Sequence, residues 1–248
     1  MVAYKPCKGG VDAYFKCPKK GTEDHRIRVV PCKLLIGADG IWSAVRKQNG
    51  EYTFWVVRKV DQTGNMANSV LTERTTHGSP GCKHRAIQHL DGLELWDDMR
   101  NAIEATSEDI IMERKIMDRL PLNKWSDVDE HVLLIGDAAH AQFIGAGQGA
   151  ASAFEDVHQL ALLLVEASGS SFSERSIQDA VQRFEELRIS RTKKMQEHAA
   201  YVTMIPDFQP DWSQHLTAEE RLKMNVEYTK WLQAYPNKQQ GDPDLFYF

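Results

Sequence analysis

The stretch from Val132 to Asp156 constrains this chain more than any other feature. It opens with the apolar run 132–135, which predicts a short buried strand. Gly136 and Asp137 end that strand, and a loop of small residues leads to a predicted helix, where apolar side chains recur at three- and four-residue steps. A strand, an acidic turn, a glycine-rich loop and a helix in this order direct backbone N–H groups and the positive helix end at a small space. The pattern favours a nucleotide or its pyrophosphate as the ligand.

A second, similar junction lies earlier in the chain. Residues 34–40, LLIGADG, repeat the pattern of residues 133–140, LLIGDAAH, and each junction places a carboxylate after a predicted strand. These carboxylates belong to Asp39 and Asp137, at the carboxyl ends of strands, where α/β sheets bind ligands. A carboxylate in that position can accept hydrogen bonds from ribose or ribityl hydroxyls.

Structural roles for the same residues remain open as alternatives. They could be turn or cap residues, solvated ion-pair partners, or glycines that permit tight packing; this applies to Asp137, Asp39, Arg46, Gly147 and Gly149. Residues 145–150, GAGQGA, formally match a GxGxxA dinucleotide fingerprint. Such a fingerprint follows its strand at once, whereas residues 137–144 intervene here, so a separate NAD site is the weaker interpretation.

The two motifs resemble those of the FAD-dependent aromatic hydroxylases, the class A flavoprotein monooxygenases. In that family GADGxxSxxR and GDAAH…GxG…ED frame the flavin, and here they occupy residues 37–46 and 136–156. Trp42, the run KIMDRLPLNKW before the second motif and the run EDVHQLALLL are most similar to the zeaxanthin epoxidase branch. The resemblance covers about residues 26–200.

That resemblance implies a set of cofactor-binding residues but no catalytic residue. Asp137 would bind the ribityl chain, the glycine loop would bring the backbone and the helix end against the flavin and its pyrophosphate, and the first motif would lie near a pyrophosphate. The predicted set is Gly136, Asp137, Gly147, Gln148, Gly149, Asp39, Gly40 and Arg46. No metal site is predicted, because Cys82, His84 and His89 lack a fourth ligand at a standard spacing.

The resemblance also implies the reaction. FAD would be reduced by NAD(P)H as co-substrate, and O2 would then give a C4a-hydroperoxyflavin that hydroxylates or epoxidises a small molecule, a carotenoid or an aromatic compound. Because the oxygen chemistry belongs to the cofactor, no protein nucleophile is required. The epoxidase branch would place the protein in a plastid; otherwise the expected location is the cytoplasm.

The chain departs from the family pattern at several positions. No GxGxxG fingerprint precedes Gly37, so the chain is expected to start inside the FAD-binding domain. The family's proline in the second motif falls at Ile144, and a third small position falls at Ala151. These departures motivate a second hypothesis, a catalytically inactive member that serves as a structural or partner-binding subunit. Its contact surface would be the aromatic C-terminal segment 212–248.

The expected fold is α/β, or α+β, with a three-layer FAD/NAD(P)-binding domain that lacks its first βαβ unit, a reduced inserted sheet domain and a helical C-terminus. The expected segments are 1–47 and 127–200 for the FAD-binding domain, 48–126 for the substrate-side sheet, and 201–248 for a linker and helix. Residues 1–25 show no clear element, and a strand at 26–30 is expected to stop at Pro31. Further predictions are a buried strand at 34–36, a strand at 52–60, loops at 61–92, and helices at 93–108, 173–200 and from Thr217, which opens a capping box.

Composition excludes some classes of partner. The contents of 42% apolar and 26% charged residues are those of a soluble globular protein, and the net charge of −5 argues against nucleic acid or an anionic membrane as a general partner. No apolar run reaches the length of a membrane span. The four cysteines are interpreted as reduced. The basic run 188–194 is interpreted as a solvated helix face, and Glu155 and Asp156 as structural residues on a polar face.

Overall fold

The structure is a computed structural model, and it describes residues 3–18, 25–48, 56–60, 66–68, 83–84, 87, 97–108, 117–127, 129–169, 172–201 and 215–234. By its contacts the chain divides into two compact units. The first comprises Met1–Tyr52 with Leu120–Phe248, and the second comprises Thr53–Arg119. The functional division into four segments stays a prediction.

The first unit begins with a three-stranded antiparallel sheet. Its strands are β1 (Ala3–Cys7), β2 (Gly10–Pro18) and β3 (His25–Cys32), in the order β1-β2-β3. Gly9, with φ of 75°, supplies the left-handed residue of the tight turn between β1 and β2. The expectation of no clear element before residue 25 was therefore wrong. Proline, lysine and glycine mask the two-residue alternation, and the buried positions are only Tyr4, Val11 and Ala13, with Gly10 beside the turn.

The expected stop at Pro31 was also wrong, because β3 continues through Pro31 to Cys32. Pro31 lies opposite Asp12 in the register of β2 and β3. β3 is an edge strand of this sheet, and an edge strand tolerates proline, which cannot donate a ladder hydrogen bond.

The chain then enters the first motif. Strand β4 (Leu35–Gly37) is followed by a loop and by the short helix α1 (Ala44–Gln48). The strand was expected to be buried, but Ile36 is 40% exposed, so only part of that expectation holds.

The second unit contains a small antiparallel sheet. Its central strand β5 (Val56–Val60) pairs with β6 (Met66–Asn68) and with β7 (Met117–Asp118), and helix α2 (Asp97–Ala105) lies between β6 and β7 in sequence. Strand β6 falls where only loops were expected. The described part of the unit agrees with a strand near residues 52–60 and a helix within 93–108, whereas Cys82 and His89 lie outside the described residues.

Returning to the first unit, β8 (Val132–Leu134) pairs with β4 in parallel. All three residues of β8 are fully buried and form the centre of the core with Trp125, Ile177 and Phe184. Residues 125–127 run along the other side of β8, because Leu134 N–H donates to the Trp125 carbonyl and Asp127 N–H to the Val132 carbonyl. β8 is the buried strand that the second motif predicts.

Four helices complete the first unit as described. They are α3 (Asp137–His140), α4 (Gly149–Ser168), α5 (Glu174–Tyr201) and α6 (Ala218–Gln233), with a 3₁₀ turn (Ile144–Ala146) between α3 and α4. The long helix and the C-terminal helix agree with the sequence prediction. Thr217 accepts a hydrogen bond from the Glu220 backbone, and the Glu220 side chain returns one to Thr217, so the predicted capping box is confirmed. In the described ranges, no helix is both long and apolar enough to span a membrane.

Candidate functional site

The two acidic turns follow neighbouring parallel strands. Gly37 at the end of β4 lies opposite Leu134 at the end of β8, so both turns leave the sheet at the same edge. A Cβ on Gly37 would lie 2.8 Å from Leu134 Cδ2 and 2.9 Å from Val45 Cβ. Glycine is therefore required here so that α1 can pack directly on the paired strands.

Asp39 caps a helix in this structure. Its Oδ2 accepts hydrogen bonds from the backbone N–H of Ala44 at 2.6 Å and of Val45 at 3.4 Å, at the start of α1. Gly40 follows with φ of 76°, which lets the loop turn back toward the helix. The capping contacts account for Asp39 without a ligand, and its predicted position near a pyrophosphate stays a prediction.

Arg46 links the two motifs. The side chain is fully buried, and its Nη1 donates to the carbonyl of Ala138 at 3.1 Å and to that of Ala139 at 3.3 Å. The Arg46 N–H in turn donates to Ser43 Oγ, which fixes the start of α1. A buried guanidinium bound to α3 carbonyls holds the second acidic turn against the first, whether or not it also approaches a ligand.

Asp137 lies at the exposed beginning of α3, directly after Gly136. Gly136 has φ of 57°, a left-handed value that reverses the chain between β8 and α3. Its N–H donates to Asp156 Oδ2 at 2.8 Å, so a residue of α4 fixes the turn that carries Asp137. The Asp137 carboxylate therefore has a defined position and free access to solvent.

Asp156 is the centre of a buried charged network. It is fully buried, and its Oδ2 also lies 2.6 Å from His140 Nε2, while its Oδ1 accepts from Arg188 Nε at 2.8 Å. Arg188, also fully buried, donates in addition to Ser152 and to Glu155 Oε2. These contacts tie α3, α4 and α5 together behind the acidic turn.

Glu155 extends the network toward the surface by a bidentate pair with Arg191, with both N···O distances at 2.7 Å. The expectation that the basic run 188–194 is a solvated face was therefore half wrong. Arg188 and Arg191 are buried and pair with α4, whereas Lys193 and Lys194 are exposed. Asp156 is structural, as expected, but it is buried rather than on a polar face.

The network keeps both carboxyl groups ionised. Burial alone would raise the pKa of Asp156, but the hydrogen bond and charge of His140, together with Arg188 and the Gly136 N–H, outweigh burial and hold that pKa below its ordinary value. Burial also acts to raise the pKa of Glu155, and the two arginines again reverse the direction. The turn is thus supported by permanent charges at neutral pH.

The loop after α3 leads to an open helix N-terminus. Gly147 has φ of 63° and ends the 3₁₀ turn, and a Cβ at this position would meet no atom within 4 Å. Gly147 is therefore required for its backbone angle and not for space. Ser152 N–H donates to the Gln148 carbonyl, so the N–H groups of the first turn of α4 precede its first helical bond. No acidic residue lies in that turn.

Asp137 and Gln142 flank this helix N-terminus. A Cβ built on Gly149 would lie 4.0 Å from Asp137 Oδ1 and 3.9 Å from Gln142 Nε2. Gln142 is 9% exposed, and its Nε2 has no hydrogen-bond acceptor among the described residues. A buried amide without an acceptor costs free energy, so the site supplies a donor for which a ligand could provide the acceptor.

Gln142 was missed by the sequence analysis, since its place among small loop residues gave no periodic or motif signal. The residues around Gly149 thus offer a carboxylate that accepts from hydroxyls, an amide that donates, and a positive helix end. This donor and acceptor set fits a ligand that carries hydroxyls, carbonyls and a phosphate, as FAD does.

Comparison with known proteins agrees with these motifs. Residues 91–199 match the family described as FAD binding domain. The chain is 30% identical over 198 residues to the chloroplastic zeaxanthin epoxidase of Oryza sativa subsp. japonica, over 64% of this chain and 29% of that protein. It is 35% identical over 185 residues to that of Capsicum annuum, over 60% of this chain and 27% of the relative. The chain thus spans less than a third of the length of these relatives.

Solved structures show the same fold. HpxO of Klebsiella pneumoniae, complexed with FAD and uric acid, superimposes with a TM-score of 0.61 at 17% identity, covering 93% of this chain and 64% of that one. A salicylate hydroxylase in complex with its substrate gives 0.59 at 16% identity, covering 94% and 67%. The fold class is that of the FAD-dependent hydroxylases, as expected.

The resemblance drawn from the two motifs is confirmed, because residues 91–199 match the FAD binding domain and the chain is similar in fold to FAD-dependent hydroxylases. In sequence, the chain is similar to the zeaxanthin epoxidases.

Proposed function

We propose that the chain binds the flavin and ribityl part of FAD between the Asp137 turn and the N-terminus of α4. The unpartnered Gln142 amide beside an exposed carboxylate and an open helix end is the observation that carries this proposal. The family match over residues 91–199 supports FAD as the ligand.

In this proposal the residues bind and position the cofactor. Asp137 accepts hydrogen bonds from ribityl hydroxyls, and Gln142 donates to a carbonyl or phosphate oxygen. The backbone N–H groups after Gln148 face the negative charge of the ligand's phosphate. Asp156 and Arg188 act behind the turn, because they fix Gly136 and do not reach the surface. FAD, when bound, supplies the oxygen chemistry that no protein side chain can perform.

The proposed overall reaction is a monooxygenation. One oxygen atom of O2 enters the substrate as a hydroxyl or an epoxide, and the other leaves as water. NAD(P)H supplies the two electrons and becomes NAD(P)⁺, with uptake of one proton. The zeaxanthin epoxidase relatives favour a carotenoid and the hydroxylase fold favours an aromatic compound, so the substrate is proposed as a small apolar molecule with an oxidisable ring. The chloroplastic relatives favour a plastid location.

Titration of FAD, followed by quenching of flavin fluorescence, tests the site. We expect Asp137→Ala to weaken FAD binding about tenfold, because hydrogen bonds to a charged group are lost. Asp129→Ala is the matched control, since Asp129 is an exposed turn residue of the same unit, and it should bind as the wild type does. Equal affinity of both variants would exclude the proposed role of Asp137. A wild-type chain that takes up no FAD would contradict the proposal as a whole.

A second candidate function, a partner-binding subunit without catalysis, has one observation in its favour. Helix α4 exposes an apolar stripe on the face away from the core, formed by Phe154 at 75%, Val157 at 54% and Val165 at 69% exposure. The aromatic segment does not support this idea in its described part, because Tyr228 is buried and Trp231 stacks near Arg191 and Lys194 of α5. Trp212 and residues 235–248 lie outside the described residues.

Light scattering of the wild type and of Phe154→Ser would test this second function. If the chain associates through α4, the mass of the complex should be smaller for Phe154→Ser than for the wild type. If the two masses are equal, the partner-binding function is excluded.

A further inference from the structure

The charge of this chain is distributed unevenly. Residues 1–33 contain eight Lys and Arg against three Asp and Glu, although the whole chain contains 30 against 35. In β1–β3 and the turn after β1, the described charged residues are Lys5, Lys8, Lys16, Arg26 and Arg28, with Asp12 as the acidic residue. The net charge of −5 therefore conceals a basic sheet.

One end of this sheet is anchored in the first unit. Val11 and Ala13 are buried at 0% and 1% exposure, and the turn at Gly9 lies near Glu174 of α5. The other end, called here the distal end and formed by residues 14–18 and 25–29, has a different environment. Every residue from His25 to Val29 is exposed, with Ile27 at 57% and Val29 at 46%.

Both faces of the distal end combine a cation with an apolar side chain. On one face Phe15 lies opposite Arg28 and Cys17 opposite Arg26. On the other face Lys16 lies opposite Ile27, and Tyr14 opposite Val29. Lys5 approaches the Tyr14 ring, with its Nζ 5.7 Å from the ring centroid.

The cations of the distal end have no acidic neighbour in the described sheet. Asp12, the acidic residue of these strands, pairs in register with Lys5 and Pro31, toward the anchored end. Lys16, Arg26 and Arg28 form no ion pair with any described carboxylate. The connection 19–24, which lies outside the described residues, adds two lysines and two acids and so no net charge.

We propose that the distal end of this sheet binds an anionic lipid surface. The sheet would meet the surface end-on, so that cations on both of its faces interact with phosphate headgroups while Ile27 and Val29 enter the boundary between headgroups and acyl chains. The exposed apolar side chains of β3 are aliphatic, whereas single-stranded nucleic acid requires exposed planar rings for stacking. The composition therefore favours a lipid surface over nucleic acid.

The same residues have a competing explanation, a defensive role in which they only prevent the edge strand from pairing with other chains. Charged side chains on an edge strand prevent pairing with other chains, and β3 is an edge strand. A purely defensive role requires no affinity for lipid, so a binding measurement separates the two.

The test is co-sedimentation of the full chain with vesicles of phosphatidylcholine alone and of phosphatidylcholine mixed with phosphatidylglycerol. The variant is Arg26→Glu with Arg28→Glu. The control is Lys193→Glu with Lys223→Glu, which changes the net charge equally at exposed positions on α5 and α6. Circular dichroism of all three proteins reports the fold, and Arg26→Gln with Arg28→Gln replaces the first variant if that one unfolds.

We expect the wild type and the control to bind the mixed vesicles and not the neutral ones. Each Lys or Arg near an anionic surface strengthens binding about fivefold, so the Arg26 and Arg28 variant should bind about 25-fold more weakly or worse. Ile27→Ser should weaken binding at both low and high salt, since its contribution is apolar. Absence of wild-type binding, equal loss in the control, or stronger binding to a single-stranded oligonucleotide than to the mixed vesicles would overturn the proposal.

Discussion

Helix α5 packs against its two neighbouring helices by different means. Around its middle it meets α4 through buried charges, with Arg188 bound to Asp156 and Glu155. Its last turns meet α6 through rings, with His198 stacked on Tyr228 at 3.4 Å between centroids and Trp231 beneath Lys194. The contact with α4 holds the acidic turn through hydrogen-bonded charges, whereas the contact with α6 is made mainly by rings. The two contacts should therefore respond differently to mutation and to pH.

Removal of Arg188 should give the largest effect. Arg188→Met would leave Asp156 buried without its cation, and breaking a buried pair in this way costs about 3–5 kcal/mol. Urea unfolding measures the loss. Arg183→Met is the matched control, because Arg183 and Glu166 are exposed and water screens such a pair, so that its loss should change the stability little. Similar values for the two variants would show that burial does not set the strength of the charge pairs between α5 and α4.

Removal of the link between the motifs should have an intermediate effect. Arg46→Leu removes the donor to the Ala138 and Ala139 carbonyls, and two buried carbonyls left without that partner cost about 1–3 kcal/mol. The same unfolding measurement applies. Lys47→Leu, at an exposed neighbour on α1, serves as the control and should stay near the wild type.

The α4 and α6 contacts of α5 should weaken over different ranges of pH. Burial, with a contribution from Lys194, lowers the pKa of His198 to about 4, so the unfolded chain takes up a proton near pH 6.5 that the folded chain resists. Stability from the α6 contact should therefore fall as the pH drops from 6.5 to 4. The pKa of Asp156 is lowered instead, and its stabilisation should persist until the pH falls below its ordinary value near 4.

Thermal unfolding of the wild type and of His198→Phe across this range checks the assignment. The variant should lose the decrease between pH 6.5 and 4 and keep the decrease at lower pH. A variant that retains the first decrease would show that another group titrates there.

The smallest effect is expected at the start of α6. Thr217→Ala removes one arm of the capping box, which typically costs about 1 kcal/mol of stability. The site on α3 and α4 should not respond, so FAD binding should be unchanged. A weaker FAD affinity in this variant would show that α6 and the site are coupled.

The sequence predicts the site elements well because their signals are local. An apolar run followed by Gly136 and Asp137, then glycines and a periodic helix, needs no distant residue to be recognised. The buried state of Arg188 was not predictable, since an arginine three residues before Arg191 looks like part of a solvated basic face until α4 supplies the carboxylates. Strands β1 and β2 were missed for a related reason, because proline, lysine and glycine mask their apolar alternation. Gln142 gave no signal in the sequence, because only the fold around it leaves its Nε2 without a hydrogen-bond acceptor among the described residues.

Replacement of Gln142 by methionine tests whether this amide binds FAD, with FAD affinity and thermal stability measured on the same protein. If Gln142 Nε2 donates to an oxygen of bound FAD, Gln142→Met removes a buried donor that is unsatisfied in the free protein, with little change in shape. We predict an unchanged or higher unfolding temperature together with FAD binding that is weakened about tenfold. Lower stability with unchanged FAD affinity would contradict the account, because Gln142 would then be a structural residue and the site would lie elsewhere.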